Sequence, residues 1–318
     1  MGASGLGSRG IIGEFYHRLA QLEGSGWIGQ VTQLFQSNQE IETYKWLGQV
    51  PQMREWIGGR NAKGLTEFGY AITNKKFEST LEISVDDIRR DKTAQIMLRV
   101  SELARRANAH WAKLISDLIT AGGTTACYDT QDFYDTDHSE GDSGTQINEV
   151  TVTQCSSLNV STATAPTAAE MADCIMEVIG YMLGYKDNQG EPLNEDAREF
   201  LIMCGTMPIW KTARIAAGLP VITDGSGSYT NIVGAMDDFK IRVEYNPRLS
   251  ASTTQLFVFR TDTDMKPFIR QEELPIQMSA IAEGSELEFN EDVHHYGIKA
   301  LRNAGYGFWQ SAVRATFN

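Results

Sequence analysis

Cysteine, proline and positive charge are all scarce in this chain, and long apolar runs are missing. The four cysteines, Cys127, Cys155, Cys174 and Cys204, are scattered with no C-x-x-C pair. That excludes a zinc ribbon, a dithiol redox motif and a disulfide framework, and it fits reduced, buried thiols in a cytoplasmic product. No stretch approaches the roughly 20 uninterrupted apolar residues of a membrane helix, so no span is expected. The opening MGASGLGSRGIIGEF lacks the basic-then-apolar layout of a signal peptide, and secretion is not expected. Lys and Arg number 28 against 41 Asp and Glu, and the net charge of −13 disfavours a non-specific grip on nucleic acid. The deficit is uneven, since residues 54–113 hold twelve Lys and Arg against eight Asp and Glu. A basic segment in an acidic chain fits pairing between copies of the chain, and it fits chance scatter equally well. Charge alone does not choose.

Assembled chemistry is also lacking. Gly5-x-Gly7-x-x-Gly10 has the letters of a dinucleotide fingerprint, but no strand precedes it to form the strand–turn–helix cradle. There is no P-loop, no H-E-x-x-H and no G-x-S-x-G elbow. Asp135, Asp137, Glu140 and Asp142 concentrate oxygen ligands around His138, yet Glu140 and Gln146 stand where an EF-hand needs Gly and Glu. Residues 129–144 are therefore read as a solvated acidic loop. His294 and His295 are adjacent, face opposite ways on a strand and cannot chelate together. His110 has no cysteine or acid at ligand spacing. No nucleophile, base and oxyanion site come together, so no enzyme, cofactor or metal is expected.

What is present is a mixed set of elements. At 318 residues with 42% hydrophobic content, the chain can build one large or two medium domains. Residues 1–45 read as an extended arm with a short helix near Ile11–Leu22. Residues 46–86 read as a long two-stranded excursion. In its returning strand Phe77, Leu81, Ile83 and Val85 alternate with polar residues, and its tip carries Gly58, Gly59 and Gly64. Trp56, Ile57, Leu65, Phe68 and Tyr70 crowd that tip beside Arg60 and Lys63, more apolar bulk than two strands can bury. Such a patch marks a surface for another molecule, or else a hairpin folded back on its own domain. Residues 91–121 form the strongest helix pattern, with Ile96, Val100, Leu103, Ala107, Trp111, Leu114 and Leu118 on one face and Gly122–Gly123 as the stop. At 1.5 Å per residue it would be roughly 45 Å long. Glu149–Gln154 look strand-like, and Thr167-x-x-Glu170 is a capping box opening a helix to about Leu183. A second helix is expected from about Asn194 and a third over Pro208–Ala217. Lys240–Tyr245 and Gln255–Arg260 alternate as strands. In the tail, Pro267–Ile269 is expected with Ile276–Ile281, and Tyr296–Ala300 paired with Gly307–Val313. Strands and helices in this order indicate an α+β fold.

Several blocks are similar to a known family. They are the run from Tyr44 to Pro51, Arg54–Gly58, Gly69–Lys75 with Phe77–Glu78, Asp86–Ile88, Cys127–Asp129, Phe133–His138, and the tail with Tyr296–Gly297 and Gly305–Trp309. Together they resemble the major head subunits of Mu-like phages and prophages. The resemblance implies the Hong Kong-type phage capsid fold, with residues 1–45 as N-arm and 46–86 as an E-loop lying over a neighbouring subunit. Residues 87–165 would form a peripheral domain with spine helix 91–121, residues 166–264 an axial domain, and 265–318 strands completing the peripheral sheet. It implies a major capsid protein forming pentamers and hexamers in an icosahedral shell around double-stranded DNA, assembled in the bacterial cytoplasm and resident in the virion. Trp56, Ile57, Arg60, Lys63, Leu65, Phe68 and Tyr70 would be its inter-subunit residues. A separate scaffold, a portal and decoration proteins are the implied partners, and acidic residues would face the lumen. An encapsulin-like compartment of the same fold is the alternative. Some relatives cross-link an E-loop lysine to an asparagine, for which Lys63 and Asn290 or Asn303 are the candidates.

Overall fold

The computed structural model describes residues 7–21, 26–44, 69–90, 95–224, 227–235 and 238–318. The N-terminal part holds helix α1 (Ser8–Gln21), the short α2 (Ile28–Val31), strand β1 (Thr32–Gln36) and strand β2 (Ile41–Tyr44). After the excursion come β3 (Tyr70–Thr73), β4 (Lys75–Ser84), α3 (Val85–Arg90), α4 (Gln95–Asn108) and α5 (His110–Ala121). The middle carries β5 (Glu149–Val150), α6 (Ala168–Leu183), β6 (Glu199–Cys204), α7 (Met207–Gly218), β7 (Val221–Asp224), β8 (Gly227–Thr230), α8 (Ile232–Ala235) and β9 (Lys240–Tyr245). The last third holds β10 (Gln255–Arg260), β11 (Phe268–Ile281), α9 (Glu286–Glu291), β12 (Val293–Tyr306) and β13 (Ala312–Thr316).

Two main sheets organise these elements. One has the order β1-β11-β12-β4, the other β5-β13-β10-β6-β9, and β2-β3 and β7-β8 form separate ribbons. Two cores pack these sheets, and the first sheet contributes to both, with Phe268, Ile269, Ala304 and Tyr306 in the larger one. Ile11 and Phe15 of α1 and Ile96, Val100, Ala104 and Ala107 of α4 pack with Ile83, Met278, Tyr296 and Ile298 of the first sheet. The larger core joins Trp111, Ile115 and Ile119 of α5 to α6, α7 and the central strands of the second sheet. Those central strands, Phe200–Cys204 and Leu256–Phe259, are apolar runs buried on both faces.

The long helix is broken rather than continuous. Ala109, with ψ −5°, leaves the helical ψ near −42°, and it separates α4 from α5. The break divides the apolar stripe between the two cores. Ile96, Val100 and Ala107 are buried in the first and Trp111 in the second, while Leu103, Leu114 and Leu118 are only half-buried. Ala112, Ile115 and Ile119 carry the burial in α5 instead.

Other expectations are corrected. No helix starts at Asn194, which is a buried tether whose Nδ2 donates to Met182 O at 3.0 Å and Gln310 O at 2.9 Å. The apolar run that follows becomes β6, because an apolar run of that length carries no decisive period. The strand-like stretch at Glu149–Gln154 shrinks to β5, and Thr151–Gln154 turns. Gln255–Arg260 is a strand, but its interior is buried on both faces instead of alternating. The two short strands foreseen across 267–281 are one, β11, with register shifts between Glu272, Leu274 and Gln277. Pro275 has no N–H for the ladder, and the irregularity around it lets the strand continue. Gly307–Val313 does not pair with Tyr296–Ala300. β12 is already flanked by β11 and β4, and β13 crosses to pair with β10 and β5 in the other sheet. Gly307 permits the departure, since a Cβ there would collide with the Lys266 carbonyl. Among the described residues, the partner of β4 is β12. The two run antiparallel from Val293↔Ser84 to Arg302↔Lys75, and Val85 opens α3.

The remaining expectations coincide with elements. α1 falls on the short helix foreseen near Ile11, α7 on Pro208–Ala217 and β9 on Lys240–Tyr245. Thr167 caps α6 through the reciprocal pair Glu170 N to Thr167 Oγ1, 3.3 Å, and Thr167 N to Glu170 Oε2, 2.8 Å.

Candidate assembly interface

The excursion is fastened at its base. β2 and β3 pair from Ile41↔Thr73 to Tyr44↔Tyr70. Tyr44 Oη donates to Gln271 Oε1 at 2.8 Å, and the fully buried Gln271 passes its Nε2 to Ile72 O at 3.1 Å. Asn74 Nδ2 donates to Gln39 O at 2.8 Å and to Glu273 Oε2 at 3.2 Å. Burial pushes the Tyr44 hydroxyl up, with the Glu42 charge adding to it, so it stays a neutral donor. Of the expected inter-subunit residues, Trp56, Ile57, Arg60, Lys63, Leu65 and Phe68 lie outside the described residues. Tyr70 is described and is half-buried. Its hydroxyl accepts from Tyr306 N at 3.2 Å, and a Cβ on Gly305 would stand 3.1 Å from its ring. It holds β3 to its own chain, where the bare Gly305 backbone lets β3 lie close against β12.

Beneath α4 and α5 two arginines converge on one indole. Arg302 lies 4.7 Å and Arg270 5.5 Å from the Trp111 ring centroid. Arg302 Nε donates to His110 Nδ1 at 3.1 Å and its Nη2 to Ala107 O at 3.1 Å, while Phe77 packs edge-on against the imidazole at 4.3 Å. Burial lowers Arg302 to about 10, and burial followed by the Arg302 charge lowers His110 to about 4. His110 is therefore a neutral acceptor at pH 7. It is a structural group under the long helix.

The acidic loop is not simply solvated. His138 is fully buried, stacked on Trp309 at 4.0 Å, with its Nδ1 2.6 Å from Asp129 Oδ2 and its Nε2 3.2 Å from Asn148 Oδ1. Tyr128 Oη donates to buried Glu140 Oε1 at 2.6 Å, and Gln310 Nε2 donates to that hydroxyl at 2.9 Å. Burial raises the Glu140 carboxyl. Only part of the loop is wet: Thr136, Asp137, Ser139, Gly141, Asp142 and Gly144 are exposed, while Phe133, Tyr134, His138, Glu140 and Ser143 are buried in the body. The sequence signal for this was Trp309, too large to be left without aromatic or polar neighbours.

Among the described residues no three His, Cys, Asp or Glu side chains converge as a metal would need. His294 is buried, 3.2 Å from Glu288 but off the hydrogen-bond direction, whereas His295 faces Glu82 at the surface. Burial pushes the thiols of Cys155, Cys174 and Cys204 up to about 12, with Glu177 adding at Cys155 and nearby carboxylates at Cys174, so none is a thiolate nucleophile. No described helix is long and apolar enough to cross a membrane.

What the surface does offer is apolar contact. Met207, Leu219, Val221 and Ile232 are exposed around α7, β7 and α8. Asn231 braces this corner, donating to Ala216 O at 2.6 Å and Leu219 O at 2.5 Å. Leu34 and Ile41 are exposed near the excursion, Leu98 on α4, and Ile281 and Phe289 at the β11–β12 end. The four around α7, β7 and α8 cluster at one corner of the fold, where a contact with another molecule would bury them together.

A long broken helix under a four-stranded sheet, a second five-stranded sheet with its own helices, and the β2–β3 ribbon together define a class. The chain has the Hong Kong-type fold of tailed-phage capsid subunits. It matches a chain of the procapsid of bacteriophage JBD30 with a TM-score of 0.55, over 98% of this chain and 74% of that one, at 24% identity. The family model for the Mu-like prophage major head subunit gpT matches residues 9–165 and 236–317, and the chain belongs to that family. It is 40% identical over 89 residues to the Mu-like prophage FluMu major head subunit of Haemophilus influenzae, covering 28% of this chain and 29% of that protein. It is 37% identical over 86 residues to the major capsid protein of Escherichia phage Mu, covering 27% and 28%. The matched stretches thus span less than a third of the length of either relative.

Proposed function

We propose that the chain is a major capsid protein. It assembles with copies of itself, as pentamers and hexamers, into the icosahedral head shell that encloses the double-stranded DNA of a tailed phage or Mu-like prophage. The observation that carries this reading is the family match across both flanks of the chain, joined to a capsid fold over nearly its whole length. The exposed apolar residues and the buried thiols agree with a subunit whose work is contact. The encapsulin-like alternative draws nothing from the family match, which names head subunits.

In this reading residues 1–45 are the N-arm and 46–86 the E-loop over a neighbour, with Trp56, Ile57, Arg60, Lys63, Leu65, Phe68 and Tyr70 at the contact. Residues 87–165 with 265–318 form the peripheral part, and 166–264 the axial part, although β13 pairs with axial strands. Assembly takes place in the host cytoplasm with a separate scaffold, a portal and decoration proteins, and the product resides in the virion. Light scattering with scaffold present tests the reading: capsomers or shells are expected, and a monodisperse monomer at high concentration contradicts it.

A further inference from the structure

The most exposed large apolar side chain among the described residues is Phe289, at 90%. It stands on a rigid platform at the end of the β11–β12 hairpin. Ser285 Oγ accepts from Glu288 N at 3.2 Å, Gly284 N donates to Glu288 Oε2 at 2.5 Å, and Asp292 closes α9 in the left-handed region at φ 54°. Val85 N then donates to Asp292 O at 3.0 Å, tying the platform to the end of β4. The chain around Phe289 is acidic: Glu283, Glu286, Glu288, Glu291 and Asp292 lie within residues 282–293, with no lysine or arginine between them.

Elsewhere on the same molecule is a groove of complementary character. Between α4 and the edge strand β4, an open space of about 470 Å³ is floored by Phe77, Leu103, Ala107, Ile276, Ile298 and Ala300. Arg106, Lys299 and one acid, Glu78, stand on its rim, and the outer side of α4 carries Arg99, with Arg105 and Arg106 both paired to Glu102, so the groove's surroundings keep a net positive charge. Leu103 is half-buried because this groove exposes one side of it.

We propose that Phe289 of one copy seats in the α4–β4 groove of a second copy. The contact rests on the shell-forming reading above and gives it a specific partner surface. An aromatic knob on a stiff acidic platform meets an apolar slot beside a basic helix, so desolvation and charge favour the same pairing. Phe289 is solvent-exposed in its own chain, so the groove it fills belongs to a neighbour. Knob and slot are different surfaces, which makes the contact head-to-tail, the type that closes into rings or shells when the rotation allows.

The test uses the full chain with Asn290→Cys and Ser79→Cys combined: Asn290 is exposed beside Phe289 and its replacement leaves the ring in place, Ser79 lines the groove and is exposed, and the four native cysteines are buried. Assembled particles treated with a short bis-maleimide should give a ladder of covalent multimers in a reducing denaturing gel, and neither single variant should. In parallel, Phe289→Ala should lower shell yield at least tenfold while Phe289→Trp retains it, both with the parent's melting temperature. Phe289→Ala shells at parental yield, with no ladder from double-variant shells, overturn the contact and leave the shell function standing. A parent chain that never assembles overturns the function, and this contact with it.

Discussion

The Arg302 guanidinium carbon lies 4.7 Å from the centroid of the Trp111 ring, joining the middle of β12 to the first turn of α5. Held there, the guanidinium also donates to His110, and burial with this charge lowers that imidazole to about 4. An unfolded histidine titrates near about 6.5. Between these values the unfolded chain binds the extra proton and the folded one does not, so stability falls as pH drops through that window. Thermal melts from pH 7 to pH 4.5 should show this loss, and His110→Gln should flatten its part of the slope. An unchanged slope in the variant contradicts it.

Ile115 and Leu114 are neighbours on α5 with different surroundings. Ile115 is fully buried, whereas Leu114 is half-buried. Ile115→Ala should cost about 2–5 kcal/mol of subunit stability, and Leu114→Ala distinctly less. Denaturant midpoints of the two variants decide whether the buried stripe turns at Ala109.

His138 and Asp137 make the same comparison in the acidic loop. His138→Ala removes a stacked ring and leaves the carboxylate of Asp129 without its partner, a loss expected to exceed about 2 kcal/mol. Asp137→Ala, on the exposed part of the loop, should stay within about 0.5 kcal/mol, and Asp135→Ala with Asp137→Ala should leave assembly intact. Chelator that dissolves shells, with calcium or magnesium restoring them, would instead place a metal there.

The excursion should separate folding from assembly. Across a subunit contact, each large side chain such as Trp56 or Phe68 would contribute on the order of 2 kcal/mol. Trp56→Ala with Phe68→Ala should therefore melt like the parent yet fail to close shells, whereas Ile115→Ala should lower the melting temperature. A Trp56/Phe68 variant that unfolds early but still assembles would put those residues in the subunit's own core.

Strong local signals were legible in the sequence. The α6 capping box, the α7 boundaries and the alternation in β4 each rest on neighbours in the chain, so a local pattern was enough. Partners were not legible. Nothing local says that β4 pairs with β12, or that β13 leaves for the second sheet. The break at Ala109 was hidden for a related reason: both halves keep an apolar face, and only the presence of two cores requires the face to shift. The acidic loop misled because its carboxylates suggested water, while its burial is set by Trp309, far along the chain. Tyr70 read as part of a sticky tip because Gly305, the residue that makes room for it, lies on another strand.

The central claim is that this chain builds a closed shell from copies of itself, and electron microscopy of the purified full-length protein, assembled with scaffold, tests it most directly. Closed icosahedral particles with pentameric and hexameric capsomers are the predicted result. A field of monomers, or of open aggregates without symmetry, from protein that melts cooperatively would contradict it.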